Sequence, residues 1–83
     1  MAIETTDTAS VIRAWLHEHV TGSLEVPDDY ELIANGLLTS LQTVELVLFL
    51  EQRFGIEVTD DEFVEENFGT VGAITALVVR RTA

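Results

Sequence analysis

The stretch Gly36 to Phe54, GLLTSLQTVELVLFLEQRF, constrains the fold more than any other part of the chain. Thr39 suits an N-cap, and Gln42 three residues later completes a capping box. Laid out at about 100° per residue, the following helix carries two apolar faces. Leu46, Val47, Leu50 and Phe54 gather on one, with Phe49 at its edge, as an ordinary core stripe. Leu41, Val44 and Leu48 fall on the other, beside Glu45, Glu51 and Gln52. A helix with a single buried face has no use for three large aliphatics on the second. Either a neighbouring helix covers them or they form an acid-rimmed surface for partners. Ser40 stands in the first turn, where unpaired N–H groups and the helix dipole favour a phosphate.

The flanking segments are helical too. Val11, Ile12, Trp15, Leu16 and Val20 recur at helical spacing. They predict a first helix from Asp7 or Thr8 to about Val20, stopped by Thr21-Gly22. Residues 1–6 read as a polar lead-in. Ser23 to Leu38 is a long connection holding Pro27, the only proline. Its apolar residues Leu24, Val26, Tyr30, Leu32, Ile33, Leu37 and Leu38 are expected to insert into the core, with a turn of helix around Tyr30 to Ala34. Asn35-Gly36 signals a turn, and Gly55 suits a left-handed cap after Phe54. Ile56 and Val58 are a short extended link. Thr59-Asp60-Asp61-Glu62 is a second capping-box pattern. It predicts a short third helix to about Glu66, with Phe63 and Val64 as its apolar contacts and Asn67 and Gly69 ending it. Thr70 caps a last helix from Val71 to about Arg81, with Val71, Ile74, Leu77 and Val78 as its buried stripe. The sum is an all-α, small four-helix bundle in one domain, 1–83. Three helices are longer and one is short, and a long loop joins the first two.

Composition narrows the function. Fifteen acids against four Lys plus Arg give a formal net charge of −11. Nucleic-acid binding needs a basic footprint, so it is excluded, as is an anionic membrane surface. Partners with basic patches are favoured. The chain has no cysteine, hence no disulfide, thiol nucleophile or cysteine metal site. The first ten residues lack a basic then apolar pattern and are not a secretory signal. No apolar run approaches the roughly 20 residues of a membrane span. A soluble intracellular protein is the default, and a cytoplasmic monomer is expected.

Catalytic constellations are missing. Ser40 lacks a Gly-x-Ser-x-Gly elbow. His17 and His19 point about 200° apart on one helix and have no third ligand nearby. Asp60, Asp61, Glu62, Glu65 and Glu66 lack the spacing of a calcium loop and read as a solvated acidic face.

The run Gly36-Leu37-Leu38-Thr39-Ser40-Leu41, the Val44-Glu45-Leu46-Val47 turn and Leu50 through Val58 resemble the acyl carrier protein family. The run Glu65 to Val71 is similar as well. The resemblance extends from the first helix to Ala83 and is most specific over residues 36 to 58. It implies that Ser40 carries 4′-phosphopantetheine, with Thr39 and Leu41 flanking the attachment site. It implies a partner-facing set of Leu41, Val44, Glu45, Leu48, Glu51 and Gln52, joined by Asp61 and Glu62 on the third helix. It further implies a phosphopantetheinyl transferase and acyl- or aminoacyl-loading and synthase enzymes as partners. Thr39 departs from the family's usual Asp: it keeps the cap and removes a charge, and Gln52 stands where many members have another acid. On this reading the chain is a non-catalytic, discrete carrier subunit. The less acidic second helix points to a natural-product pathway of polyketide or nonribosomal type, and so to antibiotic biosynthesis, ahead of fatty-acid synthesis. An unmodified carrier-fold interaction module and a small serine enzyme are the other classes.

Overall fold

The computed structural model describes residues 7–22 and 24–82. The lead-in 1–6, Ser23 and Ala83 lie outside the described residues. Among the described residues four α-helices succeed one another: α1 (Thr8–Leu16), α2 (Ser40–Phe54), α3 (Glu65–Phe68) and α4 (Val71–Thr82). No strand occurs among the described residues, in line with the helical spacing of the three longer apolar segments.

Asp7 caps α1, its carboxylate accepting from Ala9 N at 3.4 Å. The predicted first helix runs its expected length but changes character. From His17 to Thr21 it widens into a π turn, ended by Gly22 at φ 61°. The widened turn stacks the His19 ring on Trp15, with ring centres 4.7 Å apart. Trp15 in turn stacks on Phe49 of α2 at 5.9 Å, which fixes α1 against α2.

The core lies where α4 meets α1 and α3. Val71, Ile74, Leu77 and Val78 of α4 are fully buried, as their stripe predicts, and they pack with Ile12, Leu16, Leu46, Leu50 and Phe68. The long connection inserts Val26, Leu32 and Leu38 into this core. Tyr30, Ile33 and Leu37 pack at its margin. Leu24 does not insert: it is half exposed at 50%. It lies just past Gly22, where the chain leaves the π turn and has yet to reach Val26, its first buried anchor. The helical turn expected at Tyr30 to Ala34 is a single α-turn, Asn35 N donating to Glu31 O at 3.0 Å.

The third helix differs most from its sequence signature. Thr59 and Glu62 do form a capping box, but it opens only a 3₁₀ turn, Asp60–Glu62. At Phe63 (φ −83°, ψ 70°) the chain makes an inverse γ-turn, with Val64 N donating to Glu62 O at 2.9 Å. The Asn67 side chain donates to the same carbonyl at 2.8 Å, so Glu62 O is unavailable to a continuing helix. A separate helix, α3, then starts at Glu65 and carries Phe68 into the core. Asn67 therefore lies within α3 and does not end it. Phe63 and Val64, expected as the apolar contacts of this helix, precede it and stand exposed at 45% and 41%.

Candidate functional site

Ser40 is the first residue of α2, and the chain reaches it through a fixed approach. Gly36 takes φ 79°, a left-handed conformation that favours glycine. Leu37 N and Leu38 N both donate to Leu32 O, at 2.9 and 3.1 Å, and Leu38 is anchored in the core. Thr39 comes next, in extended conformation, as the N-cap. Its hydroxyl accepts from Gln42 N at 3.2 Å, while Gln42 Oε1 accepts from Thr39 N at 3.0 Å. The capping box predicted from sequence is complete. Thr43 strengthens the junction from inside: it is 5% exposed, and its hydroxyl donates to Thr39 O at 2.8 Å. Sequence reasoning passed over Thr43, whose local bond satisfies the hydroxyl and permits its burial.

Thr39 and Ser40 are both exposed. Among the described residues the hydrogen bonds around them belong to Thr39, Gln42 and Thr43, and none uses the Ser40 hydroxyl. Beside Ser40 opens a cleft of about 200 Å³. Thr43 and Val44 of α2 line it together with Phe63, Val64, Phe68, Ile33 and Leu38, and Glu65 is the only ionisable group among the described lining residues. Phe63 stands edge-on to Phe68, ring centres 5.9 Å apart, so the γ-turn contributes to the cleft lining. The signal for this was present in the sequence, since Phe63-Val64 is bracketed by Asp60-Asp61-Glu62 and Glu65-Glu66.

The second face of α2 is uncovered. Leu41 is 69% exposed, Leu48 53% and Val44 43%, and Glu45 and Gln52 are exposed with them. Of the acids grouped with this face, Asp61 is exposed, but Glu51 and Glu62 have partners within the fold. Glu51 Oε2 accepts from Val58 N at 3.0 Å. Glu62 Oε1 accepts from Thr59 N at 3.1 Å and pairs with Arg81 of α4. The Thr59 backbone bond, then Arg81, hold the Glu62 carboxyl below its ordinary value. His17 and His19 are exposed on the π turn. Among the described residues no group of three or more His, Cys, Asp or Glu is placed to hold a metal ion, and no helix is long and apolar enough to cross a membrane.

Comparison with known proteins meets this geometry. A family model described as "Phosphopantetheine attachment site" matches residues 14–78. The chain is 42% identical over 55 residues to a D-alanyl carrier protein of Enterococcus faecalis, covering 64% of this chain and 70% of that protein. A D-alanyl carrier protein of Streptococcus suis is 43% identical over 51 residues, 61% of this chain and 65% of its own length. One of Lacticaseibacillus casei is 39% identical over 61 residues, 71% of this chain and 75% of its own. The cofactor these matches bring is 4′-phosphopantetheine, held covalently. With the match running from within α1 to within α4, the chain belongs to the phosphopantetheine attachment site family of carrier proteins.

Proposed function

We propose that the chain carries an acyl or aminoacyl group on 4′-phosphopantetheine attached to Ser40 and presents it to partner enzymes, catalysing nothing itself. The observation that carries this reading is Ser40 as the exposed first residue of α2, capped by Thr39 and opening on an apolar cleft, within the matched residues 14–78. The site suits the group. Among the described residues nothing hydrogen-bonds the Ser40 hydroxyl, and the N-terminal N–H groups and dipole of α2 favour a phosphodiester there. Once attached, the arm supplies a terminal thiol that holds cargo as a thioester. The chain's own part is to expose Ser40, hold its backbone and offer a docking face. No base is required on the chain, because a phosphopantetheinyl transferase provides one.

For cargo we propose a small aminoacyl group, since the named relatives are D-alanyl carrier proteins. The polyketide or nonribosomal pathway, expected from the weakly acidic second helix, draws no support from them. The docking face we assign is Leu41, Val44, Glu45, Leu48 and Gln52, with Asp61 at its edge, facing a transferase and a loading enzyme in the cytoplasm. Glu51 and Glu62 act chiefly within the fold, through Val58 and Arg81.

Intact-mass measurement tests the reading. The chain and Ser40→Ala are incubated with coenzyme A and a broad-specificity transferase. One phosphopantetheine on the parent and none on Ser40→Ala is the expected result. An unmodified parent that is folded by circular dichroism would falsify the carrier reading and leave the unmodified interaction module.

A further inference from the structure

We infer that Gln42 is the positioning residue for modification at Ser40, acting as a two-sided clasp between the start of α2 and the π turn of α1. The inference rests on the carrier reading, because it concerns the reaction at Ser40. Its starting point is the side-chain amide of Gln42, whose two ends face different elements. Oε1 accepts from Thr39 N at 3.0 Å and from the Thr39 hydroxyl at 3.1 Å. Nε2 donates to His19 O at 3.5 Å, across 23 positions of sequence.

These partners leave the amide one orientation. A backbone N–H can only donate and a carbonyl can only accept. Turning the amide over would set Nε2 against Thr39 N–H and Oε1 against His19 O. The π turn matters because it is the segment that contributes His19 O, and its place against α2 is set by the Trp15–His19 and Trp15–Phe49 stacks. Thr39 completes the clasp in a way a carboxylate could not: its hydroxyl donates to Gln42 Oε1 while accepting from Gln42 N. Ser40 and Leu41 are the two residues between the partners of this cap, so the clasp fixes the backbone that carries the exposed Ser40. Gln42 itself neither meets the incoming group nor supplies a proton.

The test measures kcat and KM for phosphopantetheine transfer from coenzyme A to the parent, Gln42→Ala and Gln42→Glu, with backbone amide exchange at Thr39 and Ser40 followed in each. Gln42→Ala removes both ends of the clasp. Gln42→Glu keeps an acceptor for Thr39 but sets a carboxylate oxygen against His19 O. Misplacement of a reacting group by about 1 Å can lower a rate up to about 100-fold, and a looser clasp is expected to lower kcat by about tenfold in both variants. KM stays close to parental, because the exposed Leu41, Val44 and Leu48 are unchanged. Thr39 exchange accelerates in Gln42→Ala, whereas a residue contributing only to stability would lower the melting temperature and leave kcat alone. Parental kcat in Gln42→Ala overturns the inference, as does a raised KM with unchanged kcat. A slow Gln42→Ala beside a parental Gln42→Glu overturns the link to α1. Should Gln42→Ala fail to fold, Gln42→Glu decides alone, since it retains a capping box. A parent that accepts no phosphopantetheine overturns the carrier reading and this inference together; a modified parent with equally fast variants overturns only this one.

Discussion

Two threonines, Thr39 and Thr59, open capping boxes of the same pattern, yet one begins a helix of 15 residues and the other a turn of 3. The boxes differ little in themselves, for in each the threonine N–H is held by the side chain three residues on, at 3.0 and 3.1 Å. The residues beyond the boxes differ. The fourth residue after the cap is Thr43, buried, in one case and Phe63, exposed, in the other. The seventh is Leu46, fully buried, in one and Glu66, exposed, in the other. A cap satisfies orphan N–H groups and sets where a helix begins. Its length depends on whether the next turns bury a face. The second box lacks such a face, and Asn67 and Arg81 draw Glu62 into other bonds.

The comparison breaks most visibly at Leu46. Leu46→Asp sets a charge in the face that sustains α2, and an unpaired buried charge costs several kcal/mol against a total stability of about 5–15. Loss of the circular dichroism signal and of the unfolding transition is expected. Leu48→Asp, two residues away on the exposed face, should keep the fold and slow only transfer to Ser40. Unfolding by Leu48→Asp would show that this face is part of the core.

A smaller effect sharpens the comparison at the caps. Removing a threonine cap costs about 1 kcal/mol where a long helix depends on it. Thr39→Ala is therefore expected to lower the urea midpoint clearly, and Thr59→Ala to lower it by a few tenths of that. Equal losses would mean that the 3₁₀ turn is as important to the fold as the start of α2.

The smallest effect separates the boxes by charge. Gln42 does not titrate. Glu62 does, and its folded value lies below the ordinary value of 4.5. Its contribution is thus fully present above the ordinary value and is lost as the pH falls through the lower folded one. Chemical unfolding below about pH 4.5 should lose a component in the parent that is missing in Glu62→Gln. Identical pH profiles would remove the charge from the account of the second box.

Much of this molecule could be read from local chemistry. Thr39 with Gln42, the left-handed Gly55 at φ 68° and the α4 stripe each depend on neighbours within a turn or two. The second apolar side of α2 came out of the same periodicity, as did the place of Ser40, whereas its exposure depends on which neighbours pack beside it. The π turn did not, because the Trp15–His19–Phe49 stack that accompanies it reaches across to α2. Nor did the γ-turn, since Glu62 is held by Arg81, 19 positions away, and a capping-box signature carries no information about so distant a partner. Leu24 failed for a related reason: hydrophobicity marks a residue as able to insert, whereas the path of the chain decides whether it does.

The long connection before α2 has a consequence for the order of assembly. Leu32 N donates to Gly69 O at 2.7 Å, and Gly72 N to Asp28 O at 3.0 Å. The segment that delivers Ser40 is thereby latched to the junction of α3 and α4, near the other end of the sequence. Contacts spanning so much chain form late, after the loop-closure entropy has been met. A nascent chain ending before Gly69 lacks this latch, so α2 can exist while its serine is still unframed; under the proposed function, a transferase that needs the framed serine would act only on chains whose last helix has docked.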